Sequence, residues 1–178
     1  MTHDLTSRIR PVLALGLAAL ALTACGSEAE GHPLGHEVET TFYSLVEGAK
    51  QGPGTVAVTD VRTGELADLE AAGYDLDVDQ DGTTVLYVDV TFANTGGTPV
   101  DLREPSGVDG DDNLVPSLTV IEYGETTPFE SCPALPDTLA PGASVDGCSI
   151  VLVPDGVEVE RISYLADVSE DFEYWTVP

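Results

Sequence analysis

The chain has 178 residues, which suits one domain, and its 32 acidic residues outnumber 6 basic ones to give a formal net charge of −26 at pH 7. This charge argues against a nucleic-acid partner, because phosphate binding needs a basic surface. No uncharged apolar run reaches the roughly 18 residues that a membrane-spanning helix requires.

The N-terminal segment has the pattern of an export signal. Arg8 and Arg10 form a basic start, and an uncharged apolar run follows from Val12 to Leu22. The run is too short for a stable transmembrane helix and is typical of a cleaved secretory signal. We therefore expect the remainder of the chain to function outside the cytoplasm.

The apolar run ends in Leu22-Thr23-Ala24-Cys25, which resembles the lipobox of bacterial lipoproteins. The resemblance implies that residues 1–24 are removed and that the thiol of Cys25 receives a diacylglyceryl group. Two or three acyl chains anchor a protein far more firmly than one. The expected location is the extracytoplasmic face of the bacterial cell membrane. The alternative is an ordinary secretory signal with an unrelated cysteine.

Gly, Pro and polar residues dominate the segment that follows Cys25. Residues 25–53 are predicted to form a lipidated N-terminus and flexible tether, and residues 54–178 the folded domain. His32 and His36, the only histidines after Cys25, either bind a metal or are solvated tether residues, and the second interpretation is favoured.

Residues 38–50 fit either a helical face or a strand, and Gly52-Pro53-Gly54 is predicted to end whatever precedes it. From Thr55 onward, short alternating runs predict strands at 55–61, 74–78, 85–92, 98–103, 114–123, 144–153, 161–167 and 172–177. Residues 64–72 predict a short helix that ends at Gly73. Strands at this spacing predict an all-β fold, an immunoglobulin-like antiparallel β-sandwich of seven or eight strands with at most one or two short helices.

Two cysteines remain besides Cys25. Outside the cytosol, Cys132 and Cys148 are expected to form a disulfide bond. In the chain-entropy model a loop of this length contributes about 3 kcal/mol of stability. A redox or metal site is the alternative, but redox pairs usually stand two residues apart and no histidine lies nearby.

Two stretches of sequence suggest a family. They are Tyr87-Val-Asp-Val-Thr-Phe-Ala-Asn-Thr-Gly-Gly97, and Leu139-Ala-Pro-Gly-Ala-Ser-Val145 followed by the run Cys148–Pro154. Together they resemble the telokin-like, immunoglobulin-like domain of unknown function found in bacterial surface lipoproteins. The resemblance covers about residues 54–177. It implies a two-sheet sandwich with a surface role and no catalytic residues.

The residues needed for common catalytic sites are sparse. No histidine follows position 36, which removes serine–histidine and cysteine–histidine arrangements from the predicted sandwich. Lys50 is the sole lysine, and no glycine-rich phosphate loop occurs. Paired carboxylates could serve a hydrolase, but no pair stands out among so many. We expect a non-catalytic protein without a cofactor, with a carboxylate-dependent hydrolase as a weaker alternative.

One acidic run matches part of a calcium loop. Asp77, Asp79, Asp81 and Gly82 follow the first half of a D-x-D-x-D-G pattern. The twelfth position, where a bidentate glutamate belongs, is Val88. A calcium-dependent surface module is therefore the second functional hypothesis. Solvated turns explain the same residues, and the run 109–113 has the same ambiguity.

The aromatic residues considered as partner contacts are Tyr123, Phe129, Tyr174 and Trp175. Tyrosine and tryptophan often anchor interfaces. A chain with 6% aromatic residues also needs most of them inside its core. We predict that Trp175 is buried. The leading functional hypothesis is a lipid-anchored binding or envelope-associated module for an unknown protein or glycan at the cell surface.

Overall fold

The computed structural model describes residues 31–43, 50–74, 76, 82–119, 129–166 and 172–178. These ranges contain ten strands and one helix: β1 (Val38–Tyr43), β2 (Lys50–Gly64), α1 (Leu66–Ala71), β3 (Thr84–Asn94), β4 (Val100–Asp101), β5 (Ser106–Asp109), β6 (Leu114–Val115), β7 (Thr138–Leu139), β8 (Ser144–Val153), β9 (Val159–Tyr164) and β10 (Glu173–Thr176).

The strands form two four-stranded sheets and one small ribbon. Sheet 1 has the order β1–β2–β3–β8, sheet 2 has the order β10–β9–β5–β6, and β4 pairs with β7. Every one of these pairings is antiparallel. The prediction of a mostly β protein with packed antiparallel sheets and one short helix is confirmed. Within the described ranges, no helix has the length and apolar character needed to cross a membrane.

The first hydrophobic core lies between the two sheets. On β3, alternation places Val88, Val90 and Phe92 on one face of the strand, and all three are buried in this core. Sheet 2 contributes Tyr164 and the fully buried Trp175, so the predicted burial of the tryptophan is confirmed. Removing this apolar surface from water stabilises the sandwich by about 25 cal/mol for each Å² buried.

A second core covers the opposite face of sheet 1. Val85 and Tyr87 alternate with the inward row of β3 and therefore point to the other side of the sheet. Leu69 of α1 packs there with Ile150 of β8. The first half of β3 is thus buried on both faces, while Asp89, Thr91 and Ala93 further along its outer face are partly exposed.

Strand β2 is longer than the sequence indicates. The predicted break at Gly52-Pro53-Gly54 is wrong, because these residues continue β2 and pair with β1. Pro53 is tolerated because its nitrogen points to the side on which the β3 ladder has already ended, at Asn94. At Gly54 a side chain would have no room, since a Cβ atom would lie 2.2 Å from the Phe42 ring.

Residues of the predicted tether belong to the fold. The expected tether extends to residue 53, whereas the structure places β1 and the start of β2 in sheet 1. Of the ambiguous span 38–50, residues 38–43 are strand and residues 44–49 lie outside the described ranges. Alternating Thr, Phe and Tyr residues favour a strand here because Phe42 fills the inter-sheet core.

Other predicted elements differ in extent. The helix is confirmed at Leu66–Ala71, and Gly73 follows it with a positive φ of 93°. The predicted strand 74–78 does not form at Tyr74 or Leu76, which lie outside any strand and pack on the second core. The predicted strand 114–123 is reduced to β6 within the described residues. Strand β8 has its predicted bounds.

Candidate functional site

The structure tests the predicted site residues unequally. Cys25 lies outside the described residues, and so do Asp77, Asp79 and Asp81 and the aromatic residue Tyr123. Lipidation and the first calcium candidate therefore stay predictions. The two remaining cysteines are described, and their sulfur atoms are bonded.

The disulfide bond joins a loop to the outer face of sheet 1. The Cα atoms of Cys132 and Cys148 are 5.0 Å apart, and both residues are 3% exposed. The amide of Cys148 donates to the carbonyl of Pro133 at 2.8 Å, and that of Cys132 donates to Phe129 at 3.1 Å. The bond thus fixes the loop that carries Phe129 over the second core.

Arg62, on β2, holds the same loop in place. Arg62 binds Asp89 through two hydrogen bonds of 2.7 and 2.8 Å, and it donates to the carbonyl of Ser131 at 2.8 Å. The hydrogen bonds to Asp89 raise the pKa of the Arg62 guanidinium above its ordinary value. The guanidinium also lies 5.4 Å from the centre of the Tyr87 ring. These contacts hold the loop in place and leave the arginine no role as a free cation.

The segment 31–37, here called the N-terminal strap, is tied to both sheets. His32 donates its backbone N–H to Tyr174 at 2.7 Å and accepts one from Thr176 at 2.9 Å. Gly35 donates to the carbonyl of Val58 at 2.7 Å, and it needs a positive φ of 81° to do so. The strap therefore closes the β10 edge of sheet 2 before the chain enters β1.

The strap brings its two histidines to one place. The rings of His32 and His36 are stacked with their centres 4.5 Å apart, and Nε2 of His32 lies 3.2 Å from Oε2 of Glu173. Trp175 donates from Nε1 to the carbonyl of His36 at 2.9 Å. The two histidines therefore belong to the fold rather than to a tether, since both contact groups of β10, while the His36 side chain stays exposed. The hydrogen bond from Trp175 to the His36 carbonyl fixes this segment, but it joins residues 139 positions apart and therefore leaves no local pattern in the sequence.

The outward face of sheet 2 carries an aromatic and a basic side chain. Register pairs Tyr174 with Ser163, one position from the inward pair of Trp175 and Ile162. The guanidinium of Arg161 lies 4.9 Å from the centre of the Tyr174 ring. Such a contact is favourable because the ring face carries partial negative charge. Alternation around a buried Trp175 implies an outward Tyr174, but no local pattern indicates that Arg161 packs on its ring.

Further contacts extend this face. Arg161 also forms an ion pair with Asp112, and the Phe172 ring lies 6.0 Å from that of Tyr174. Leu114 of β6 belongs to the same sheet and is 52% exposed. We call Arg161, Tyr174, Phe172 and Leu114 the sheet-2 face. Aromatic residues and arginine are residue types enriched where proteins bind partners.

The second acidic run is a structural turn. One carboxylate oxygen of Asp109 accepts the backbone N–H groups of Asp111, at 2.9 Å, and Asn113, at 2.8 Å. Hydrogen bonds from the Asn113 side chain lower the pKa of Asp109 below its ordinary value, and the backbone N–H of Asn113 adds to this. In the part of the chain that the structure describes, no three His, Cys, Asp or Glu side chains are placed to hold a metal ion.

An open groove of about 460 Å³ lies between β1 and β2. Its lining includes Glu39, Thr41, Thr55 and Thr95. Glu39 is the one ionisable side chain among the described residues that line it. The groove can offer hydrogen bonds to a polar ligand, but it lacks the second carboxylate that a glycosidase-type acid–base pair requires.

No protein-family model matches the chain, and comparisons with curated proteins and with solved structures also give no match. The telokin-like resemblance therefore stays a prediction from the two sequence motifs.

Proposed function

We propose that the chain is a membrane-anchored extracytoplasmic lipoprotein whose folded part is a non-catalytic binding or envelope-associated module. The observation that carries this proposal is the bond between Cys132 and Cys148, buried in the second core. Disulfide bonds of this structural kind persist in oxidising compartments outside the cytosol. This bond is consistent with an export signal at residues 1–24. Because Cys132 and Cys148 are paired, Cys25 is the cysteine that remains for lipid attachment.

An immunoglobulin-like sandwich is the scaffold we propose for this module. Two four-stranded antiparallel sheets with a shared core support it. The Asn94-Thr95-Gly96-Gly97 turn and the Leu139-Ala-Pro-Gly turn underlie the family resemblance. The first connects β3 of sheet 1 to β4 of the ribbon, and the second connects β7 of the ribbon to β8 of sheet 1. Such a scaffold presents loops and faces rather than an enclosed reaction chamber.

The sheet-2 face is the binding surface we propose. Part of the outer face of sheet 1, around Val85 and Tyr87, is covered by this chain's own helix and by the loop that carries Phe129. The outward face of sheet 2 offers the partly exposed Tyr174 ring and the exposed Leu114, and Arg161 packs against that ring while paired with Asp112. A partially exposed ring beside an arginine suits a neutral polar partner such as a surface glycan, because the strongly acidic chain repels anions.

The anchor is tested by the intact mass of the full chain after expression in bacteria and extraction with detergent. We expect a chain that starts at Cys25 and carries a diacylglyceryl adduct. The Cys25→Ser variant should lose the adduct, whereas the Cys132→Ser/Cys148→Ser double variant should keep it. An unmodified, soluble product from the natural sequence would contradict the anchor, and two free thiols in the denatured, unreduced protein besides Cys25 would contradict the bond.

The binding surface is tested by sedimentation with purified cell-wall glycan. We expect the natural protein to sediment with the glycan and the Tyr174→Ala variant to lose at least about tenfold in affinity, since interface aromatics often contribute 2 kcal/mol or more. The Thr98→Ala variant, which changes a distant exposed turn, is the matched control. Equal binding by all three proteins would remove the sheet-2 face as the surface.

A further inference from the structure

The chain between the proposed lipidation site and the first residue bound to the fold is shorter than the predicted tether. His32 is already hydrogen-bonded to the β10 edge through Tyr174 and Thr176. It follows Cys25 by seven positions in the chain. A fully extended chain spans at most 3.3–3.6 Å per residue, so these seven positions can span no more than about 25 Å. This limit holds whatever conformation the intervening residues adopt.

We infer that the strap edge, formed by the N-terminal strap and β10, is the surface of the domain that faces the lipid bilayer, and that the strap holds it within about 25 Å of the headgroups. The inference rests on the proposed lipid anchor at Cys25. It adds that the anchor fixes which side of the domain is turned to the membrane. A tether up to residue 53, as the sequence predicts, would instead allow about 100 Å when extended.

The limit is shorter than the domain itself. A folded domain of this size has a radius of gyration of about 15 Å, which corresponds to a diameter of about 40 Å. The chain from Cys25 to His32, here called the leash, spans at most about 25 Å and therefore cannot bring the side opposite His32 to the bilayer. That opposite side stays turned toward the cell wall or the medium, and the strap edge stays turned toward lipid. The sheet-2 face is at right angles to this edge and runs from β10 to β6, so it remains open to a glycan beside the membrane.

The length of the leash depends on whether the strap contacts stay closed, because they set which residue is the first to be fixed to the fold. Gly35 is bound to Val58, and the carbonyl of His36 accepts the Trp175 indole N–H at 2.9 Å. If these contacts opened, the first fixed residue would be Val38 of β1, and the limit would rise to about 45 Å. Trp175 is fully buried at this position and is the single tryptophan of the chain. It therefore reports the distance between the strap edge and the membrane.

The charge of this edge opposes its adsorption to an anionic bilayer. Glu37, the last residue of the strap, and Glu39 of β1 are exposed, and Glu173 lies on β10. These carboxylates repel anionic headgroups over a distance of about 8–10 Å at physiological salt. On anionic vesicles we therefore expect the mean distance to shrink as salt is added, and on uncharged vesicles to stay constant.

The test measures energy transfer from Trp175 to dansyl-labelled lipid in phosphatidylcholine vesicles that carry the purified lipidated protein. One variant receives about 20 Gly and Ser residues between Gly26 and Ser27, which lengthens the leash by about 25 Å on average. The control variant carries the same residues after Pro178, where they add mass without lengthening the leash. We expect strong transfer in the natural and control proteins and at least a threefold loss in the lengthened variant.

Two failures are distinguishable because intact mass and vesicle flotation are measured first. A protein without the lipid adduct that does not float with the vesicles overturns both the anchor and this inference. A lipidated, floating protein whose transfer equals that of the lengthened variant overturns only the inference, since the strap then sets no limit. Transfer that is high in the natural protein and low only in the lengthened variant supports it.

Discussion

The side-chain amide of Asn94 donates a hydrogen bond to the carbonyl oxygen of Leu139, over 3.0 Å. The same amide donates to Thr98 at 2.8 Å, and the side-chain oxygen accepts the N–H of Gly96 at 2.9 Å. Asn94 is 1% exposed, so these bonds form away from water. One buried side chain therefore joins the turn after β3 to the strand β7.

Replacing Asn94 by alanine should lower the free energy of unfolding by about 2–4 kcal/mol. The reason is that the carbonyl groups of Thr98 and Leu139 would be left without their donor, and each unsatisfied buried polar group costs about 1–3 kcal/mol. Urea denaturation measures the change. Thr95→Ala, at the exposed next position, should stay within about 0.5 kcal/mol. Similar losses in both variants would show that the Asn94 bonds carry no special weight.

The sequence predicts the two turns that Asn94 connects but not their connection. Asn94-Thr95-Gly96-Gly97 and the Pro141-Gly142 turn are visible because glycine, asparagine and proline favour turns. The bond to Leu139 spans 45 positions in the chain. Periodicity and turn propensity are local quantities, and they contain no information about which distant carbonyl a buried amide will meet.

The second core was missed for a related reason. Alternation places Val88, Val90 and Phe92 on one face of β3 and Val85 and Tyr87 on the other, but it does not indicate what covers the second row. Helix α1 and the disulfide-linked loop cover that row. Apolar residues on both faces of β3 were a usable signal, because a strand with few polar positions is typically covered on both sides. The N-terminal strap has no such hydrophobic pattern, since the glycine and proline residues of segment 31–37 are as typical of a flexible linker as of a segment bound to the fold.

Leu69 gives a direct test of the second core. It is fully buried, so Leu69→Ala should lower the free energy of unfolding by about 2–5 kcal/mol through lost apolar contacts and a cavity. The matched control is Leu114→Ala, which makes the same chemical change at a residue that is 52% exposed. Thermal and urea unfolding should show a loss below about 1 kcal/mol for the control. Equal losses would mean that α1 does not seal a core.

The strap can be loosened by one methyl group. Gly35 has a φ of 81° and open space around its missing side chain, so Gly35→Ala adds backbone strain of about 1–2 kcal/mol without a clash. Gly97 also has open space but no positive φ, and Gly97→Ala is the control. Trp175 emission, which we expect to be blue-shifted from that of free indole, should move to longer wavelength in Gly35→Ala alone. An unchanged spectrum would show that the strap tolerates the strain.

The Asp109 turn should respond to acid. Hydrogen bonds from Asn113 hold the pKa of Asp109 below its ordinary value of about 4. Since the folded pKa lies below the unfolded one, the ionised carboxylate stabilises the fold above the unfolded pKa. This contribution is lost as the pH falls through the folded pKa.

A carboxyl titration followed by NMR checks this prediction. Asn113→Ala should raise the pKa of Asp109 toward its ordinary value, because the largest cause of the shift is the side-chain hydrogen bond from Asn113. Thr98→Ala, in a different turn, should leave that pKa in place. If Asn113→Ala left the pKa of Asp109 unchanged, the turn would owe its shape to other contacts.

The hydrogen bonds of His32 also bring the two ends of the fold together. The strap pairs with Tyr174 and Thr176, only a few residues before Pro178, so the first and last described segments lie side by side. Chains with adjacent ends tolerate circular permutation. A short linker from Pro178 to Gly31, with new ends opened in the exposed turn at Asp155 and Gly156, should give a rearranged chain with the same sheets. The arrangement of the sheets therefore does not depend on where along the chain the two ends are placed.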